Sequence, residues 1–258
     1  MTKLMTKLRI AVLFALPVIG FVLLWEIFSR SGAIDSKLFP PPTVVAMAFA
    51  ELIKSGEIFR DTGYSVGRAI IGFAIGAGLG VFVGTLTGAV KVVRNAFLPL
   101  IQVLRPIPSI SLVPLAIVWF GLGEVSKIFL VTWSVFFPVW LNTFLGVTRV
   151  DPVYVWAASS LGASKRASLL KVILPASLPL IMGGMRVGVA LAYMNLVAAE
   201  MAGAYVGLGF RLEYGHMVFR IDQMLVAIVM IGILGALSDR GFTGVVETLL
   251  PWSQTKKR

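Results

Sequence analysis

The 258-residue chain contains no cysteine, a single histidine (His216) and few charges, only 14% of its residues. The first absence removes disulfides, thiolate metal sites and a cysteine nucleophile, and the second removes any site built on two imidazoles. Zinc takes three or four protein ligands, so His216 is read as a surface or packing residue, and no metal site is expected. No Gly-Lys dipeptide occurs, so the chain has no phosphate-cradling loop of the G-x-x-x-x-G-K kind and carries no nucleotide of its own. The scarcity of charge has the widest consequence. Soluble domains are about a quarter charged and about half apolar, whereas 58% of this chain is hydrophobic and its mean hydropathy is +0.92. That leaves too little polar surface to coat a water-soluble core, and the fold class is an all-α membrane protein.

A bilayer core is crossed by about 20 apolar residues in a helix. Six such runs are present, at about 10–28, 69–90, 98–120, 127–147, 176–199 and 223–246. The first follows Lys3, Lys7 and Arg9 as a secretion signal would, but it ends in Trp25, Glu26, Ile27, Phe28 and Arg30 instead of a small-x-small cleavage site. Residues 1–30 are therefore read as a short basic tail and an uncleaved first helix. Residues 31–67 form an outer loop with a short amphipathic helix, opened by Pro40-Pro41-Pro42, N-capped by Thr43 and running to Lys54. Residues 68–250 hold the remaining spans, and 251–258 form a basic tail.

An even number of spans puts both termini on one side. With the termini in the cytoplasm, the inner segments, counted with Asp239 and Arg240 near the end of the sixth run, hold thirteen Lys and Arg against three acids. The outer segments, counted with Lys127 at the start of the fourth run and without Glu200 at the edge of the fifth, hold eight against seven. Cytoplasmic loops carry the excess of Lys and Arg, so the net charge of +11 is chiefly an orientation signal. A nucleic-acid partner is not needed to explain it.

The second span carries Gly72, Gly76, Gly80, Gly84 and Gly88, a ridge of small residues that lets another helix approach closely, within the chain or across a dimer. The third is broken by Arg105-Pro106-Ile107-Pro108-Ser109 and again by Pro114. Irregular backbone at membrane depth survives only inside protein or beside a water-filled cavity, which makes Arg105, Pro106, Pro108 and Ser109 candidates for a pathway-lining element. The other reading is a kinked core helix whose Arg105 snorkels to the cytoplasmic interface. Arg186 and Glu200 lie fourteen residues apart on the fifth span, on nearly the same helical face. With Asn195 they are candidates for the translocation pathway or a dimer seam; alternatively Glu200 caps the outer helix end and Arg186 is paired within the bundle. Buried charges at a helix centre cost about 2.5–3.5 kcal/mol or more unless paired or hydrated. Between Ala204 and Asp222 an outer loop rich in glycine (Gly207, Gly209, Gly215, with Gly203 just before it) suggests tight turns, and a contact with an external protein.

The inner segment 151–175 is the most informative. Asp151-Pro152 starts a helix, Gly162 breaks it, and a second helix ends before Pro175. Small residues at 157–160 and 162–164 form a smooth knob beside Trp156, with Lys165, Arg166 and Lys171 supplying positive charge. Such a knob suits a groove on a cytoplasmic partner.

The spacing of Ala157-Ala158, Gly162 and Leu174-Pro175 resembles the EAA loop of permease subunits of ABC-type importers, with Trp156 where that family has glutamate. The chain as a whole resembles the nitrate/sulfonate/taurine/bicarbonate branch. The residues carrying this are Leu38-Phe39-Pro40-Pro41-Pro42, Arg105-Pro106-Ile107-Pro108, Trp119-Phe120-Gly121-Leu122-Gly123-Glu124, Leu174-Pro175-Ala176-Ser177-Leu178-Pro179 and Val197-Ala198-Ala199-Glu200. The resemblance implies a type I ABC importer permease fold of about six transmembrane helices with a cytoplasmic coupling helix, in a bacterial inner membrane. It also implies two ATP-binding partner subunits holding ATP and Mg, a second permease copy as a homodimer, and a periplasmic substrate-binding protein. Under it, Trp156, Ala157, Ala158, Gly162, Ala163, Ser164, Lys165, Arg166, Leu174 and Pro175 couple to the ATPase, and the chain is not itself an enzyme. The solute is a small anion of sulfonate or taurine type, with nitrate and bicarbonate as alternatives.

A rival class is a membrane serine hydrolase, since Gly63-Tyr64-Ser65-Val66-Gly67 matches the G-x-S-x-G nucleophile elbow. The elbow requires a strand before the serine and a helix after it. Here the motif lies in a short loop before a span, and it is read as a chance match.

Overall fold

The computed structural model describes residues 2–32 and 35–249, with side chains from 16 to 248 within those stretches. The side chains of Lys3, Lys7 and Arg9 and the expected basic tail at 251–258 lie outside the described residues. Among the described residues there is no strand. The α-helices, in chain order, are α1 (Thr2–Arg30), α2 (Pro42–Lys54), α3 (Glu57–Ala89), α4 (Lys91–Leu104), α5 (Val113–Phe120), α6 (Glu124–Thr148), α7 (Pro152–Ser160), α8 (Lys165–Ser168), α9 (Leu174–Met201), α10 (Leu208–Met217) and α11 (Ile221–Leu249). A 3-10 turn, Ser109–Leu112, leads into α5, and a π turn, Leu169–Ile173, joins α8 to α9.

Four stretches among the described residues are long and apolar enough to cross a membrane: Glu57–Ala89, Glu124–Thr148, Lys165–Met201 and Ile221–Thr248. Lys91–Leu104 and Ser109–Phe120 pass the same test together, as a fifth span bent by 86°. The expected first span falls within α1, which is 29 residues long.

Three expectations about boundaries change. The second span does not begin at 69: α3 starts at Glu57, so the polar residues 57–67 are helical and not loop. The third span has one break, at Arg105–Pro108, because Pro114 lies in the first turn of α5, where its missing N–H costs nothing. The second helix of the 151–175 segment does not end before Pro175 but continues through the π turn into α9, so Lys165–Met201 is one 37-residue span.

The chain divides into two compact units, Met1–Arg60 with Arg211–Val229, and Asp61–Phe210 with Met230–Arg258. In the first, Glu26 accepts from Arg30 Nε at 2.5 Å, Thr43 Oγ1 at 2.9 Å and the Thr43 amide at 3.1 Å. This explains an acid inside an apolar run and corrects the capping of α2. Pro41 is the N-cap and Pro42 the first helical residue, while the Thr43 side chain ties α2 to α1.

In the second unit the glycine ridge of α3 is spent on α6. Opposite the five glycines, α6 presents Val131, Val135, Val139, Thr143 and Val147, also four residues apart, so the two helices run parallel. A Cβ added at Gly72, Gly76, Gly80, Gly84 or Gly88 would come within 2.6–2.9 Å of the facing side chain, closer than carbon atoms pack. The ridge therefore belongs to the chain's own core. Buried Ala69, Ala77, Val131, Val135, Val139, Ala192, Tyr193 and Leu196 extend that core onto α9.

Candidate functional site

The segment 151–168 is a built turn between two helices. Asp151 caps α7 by accepting from the Val153 amide at 2.9 Å, and Pro152 starts the helix. The far end closes with Ala163 N–H bonded to Ala158 C=O and Gly162 N–H to Ser159 C=O, each at 3.0 Å. That pairing needs a left-handed residue, and Gly162 supplies it with φ +79°. Ser164 then caps α8 by accepting from the Ala167 amide at 3.2 Å. Around the turn Trp156, Ala157, Gly162, Ser164, Lys165 and Arg166 are exposed, while Ala158 is buried and Ala163 half-buried. Leu161 is 88% exposed at the apex. With Val153, Tyr154 and Trp156, also exposed, it makes an apolar face of the kind that marks an interaction surface. Leu174 and Pro175 sit apart from the knob, at the root of α9.

At the bend of the third span, Arg105 ends α4. Its side chain is exposed and has no hydrogen-bond or ion-pair partner among the described residues. Pro106 and Pro108 remove two backbone donors, and Pro108 precedes the 3-10 turn. The turn is held to α9 by a side-chain contact between Ser109 Oγ and Asn195 Oδ1, and the Trp133 indole N–H reaches the Ile107 carbonyl at 3.4 Å.

The three α9 candidates do not share a passage-lining face. Arg186 turns to α11, where Nε and Nη2 grip Asp239 at 2.7 and 2.8 Å. Asn195, half a turn around the helix from Arg186, meets Ser109. Glu200 is 1% exposed and faces α3. Placing Glu200 on a pathway is corrected by its surroundings: Ser65 Oγ donates to its carboxylate at 2.8–2.9 Å, Arg68 Nη1 at 2.7 Å and the Gly209 amide at 2.8 Å. No carboxylate oxygen is left to face a passage, and the residue does not cap its own helix but accepts from the first turn of α10.

Around Glu200 lies a clasp that the sequence reading missed. Arg68, 4% exposed, donates to Glu200, to the Val206 carbonyl at 2.6 Å and through Nε and Nη2 to both oxygens of Glu124 at 2.6 Å. Ser65 accepts from the Leu208 amide at 2.9 Å, and fully buried Asp61 accepts from the Gly207 amide at 3.1 Å. Lys127, 2% exposed, donates to the carbonyls of Leu122 and Gly123 at 2.7 and 3.0 Å. One helix start, α3, thereby holds the loops before α6 and before α10. Gly207 has φ +137°, and a Cβ there would lie 2.6 Å from the Glu200 carboxylate, so the loop closes down on the buried acid only because this residue is glycine.

The clasp also disposes of the hydrolase motif. Gly63 to Gly67 lies inside α3 with no strand before it, and Ser65 is 2% exposed with its hydroxyl committed to Glu200 and Leu208. His216 is exposed, 3.9 Å from Glu213. No group of three or more His, Cys, Asp or Glu among the described residues is arranged to hold a metal.

Residues 72–247 match the family described as binding-protein-dependent transport system inner membrane component. A Bacillus subtilis protein named as an aliphatic sulfonates transport permease is 35% identical, over 90% of this chain and 84% of that one. A protein of the same name in Escherichia coli K12 is 38% identical, over 95% and 93%. Among solved structures, a chain of the MetNI methionine ABC transporter in an inward-facing form superposes with a TM-score of 0.61 at 20% identity, covering 72% of this chain and 92% of that one. That likeness bears on the fold, which is the type I ABC importer permease fold.

Proposed function

Because the chain belongs to the family of binding-protein-dependent transport system inner membrane components, as an ABC importer permease of the nitrate/sulfonate/taurine/bicarbonate branch, we propose that it passes a small organic sulfonate inward across the cytoplasmic membrane. It works as one of two permease copies, coupled to two ATPase subunits that hold ATP and Mg, and receives solute from an extracytoplasmic binding protein. Both termini are cytoplasmic, residues 68–250 form the permease core, and the chain performs no covalent chemistry.

The observation that carries the coupling is the continuity of the knob with α9. From the Ser164 cap the chain is helical to Met201, so a displacement of the α7–Gly162–α8 turn is delivered along one element to Asn195 and to the bend it contacts. ATP-bound partners favour one spacing of the two knobs, and that spacing favours one orientation of the spans. Arg105, Pro106, Pro108, Ser109, Asn195 and Arg186 lie on the moving surface, and the Glu200 clasp holds the outer loops to α3. The sulfonate assignment rests on the two relatives named for aliphatic sulfonates.

The test is purification of the chain with its ATPase and uptake of radiolabelled ethanesulfonate into proteoliposomes. Gly162→Glu is expected to lose ATP-driven uptake, and Gly162→Asn, which tolerates the left-handed conformation, to recover much of it. Undiminished uptake by Gly162→Glu overturns the docking assignment. A calorimetric screen of the cognate binding protein against taurine, alkanesulfonates, nitrate and bicarbonate decides the solute.

A further inference from the structure

Arg186 and Asp239 form an ion pair in an improbable place. Arg186 lies within the membrane-spanning stretch Lys165–Met201, and Asp239 within Ile221–Thr248. Yet the side chains are 56% and 39% exposed, unlike Arg68 and Glu200, which are 4% and 1% exposed. Ionisable groups within such stretches face the bundle interior or a water-filled cavity, because lipid exposure is costly.

The surroundings are also open. Gly183 and Ala190 flank Arg186 one turn below and above, and Gly235 lies one turn before Asp239. A Cβ added at Gly183 or Gly235 would meet nothing within 4 Å. A guanidinium has five N–H donors; here Nε and Nη2 are engaged and the Nη1 hydrogens have no partner among the described residues.

We propose that Arg186 is an anion-exchange site for the transported solute and that Asp239 is its resident competitor, displaced by the sulfonate head and returning after the solute has left. The inference rests on the sulfonate-permease reading above. A sulfonate presents two oxygens to a guanidinium in the same forked geometry as a carboxylate. The incoming head attaches first at Nη1, so the arginine is never left unpaired while Asp239 swings away. A bare arginine would hold the anion; conduction needs a site favourable enough to enter and weak enough to leave, and a tethered carboxylate supplies that weakening.

The test uses the assembled permease–ATPase complex in nanodiscs and proteoliposomes, with ethanesulfonate as probe. Asp239→Asn, which keeps shape and removes the competing charge, is expected to bind ethanesulfonate at least tenfold more tightly than wild type, in the absence of binding protein, and to transport it more slowly. The exchanged variant Arg186→Asp with Asp239→Arg restores an ion pair but moves the cation to α11, and is expected to assemble and to lose uptake at least tenfold. Wild-type uptake by the exchanged variant, or unchanged affinity in Asp239→Asn, overturns the proposal and leaves a structural ion pair; the Asp239→Asn affinity decides even if the exchanged variant fails to assemble. If wild type transports nitrate or bicarbonate and not ethanesulfonate, the sulfonate reading falls, and the same two comparisons made with that anion decide the exchange site.

Discussion

Arg68 and Glu200 meet at 2.7 Å with 4% and 1% of their side chains exposed, while the same guanidinium grips Glu124, which is 53% exposed, at 2.6 Å. One arginine thus has a buried partner and a half-exposed one, and the two bonds differ in worth. Removing one member of a buried pair costs about 3–5 kcal/mol because the survivor stays charged in low dielectric; an exposed pair is worth about 1 kcal/mol or less.

Arg68→Met is therefore expected to destabilise the permease by about 3–5 kcal/mol, and Glu124→Gln by about 1 kcal/mol or less. Intrinsic tryptophan fluorescence during thermal unfolding in detergent measures both. Equal losses would mean that the Glu200 bond is not the anchor of the clasp.

Ser65→Ala removes a hydroxyl that donates to Glu200 and accepts from the Leu208 amide. The expected outcome is a loss of about 1–3 kcal/mol, since a buried amide is left unsatisfied. A serine-directed fluorophosphonate is expected to leave the wild-type protein unlabelled. Labelling at Ser65 would revive the hydrolase reading.

Parts of this architecture were written plainly in the chain and parts were not. The spans appear as apolar runs, the bend as Pro106 and Pro108 two apart, and the knob as Gly162 between two helical patterns, because each of those signals is local. The glycine ridge was legible but its partner was not named, although Val131, Val135, Val139, Thr143 and Val147 repeat with the same period of four and could have identified α6. The clasp was hidden for a physical reason. Arg68, Glu124 and Lys127 sit near the ends of spans, where hydropathy counts them as loop charges, and Arg68 pairs with an acid 132 residues away. The near-balance of cations and acids among these loop charges is in part internal pairing.

The ridge can be tested against a neighbour on the same helix. A Cβ at Gly78 would meet nothing within 4 Å, whereas one at Gly80 would lie 2.8 Å from Val139 Cβ. Gly78→Ala is expected to be neutral or to stabilise by up to about 1 kcal/mol, as alanine does in helices. Gly80→Ala is expected to destabilise by about 1–3 kcal/mol, the cost of overpacking. The order of the two unfolding temperatures reads this out, and similar values would show that α3 and α6 are not closely packed in the membrane.

A second helix ends like α7 but with the wrong residue. At the end of α10, Arg220 N–H bonds to Gly215 C=O at 2.8 Å and Phe219 N–H to His216 C=O at 3.3 Å, the same pair of bonds that closes α7 on Gly162. The left-handed position is filled here by Phe219, with φ +56° and a side chain 80% exposed. A Cβ in that conformation costs about 1–2 kcal/mol, and little burial offsets it. Phe219→Gly relieves the clash but also gives the unfolded chain more freedom, a penalty of about 0.4–1 kcal/mol. The net expectation is a gain of about 0.5–1 kcal/mol, read as a higher midpoint in thermal unfolding of the detergent-solubilised permease. Phe219→Ala, which keeps the Cβ, is expected to show no gain. A rise with alanine as large as with glycine would assign the effect to the exposed ring and not to the backbone.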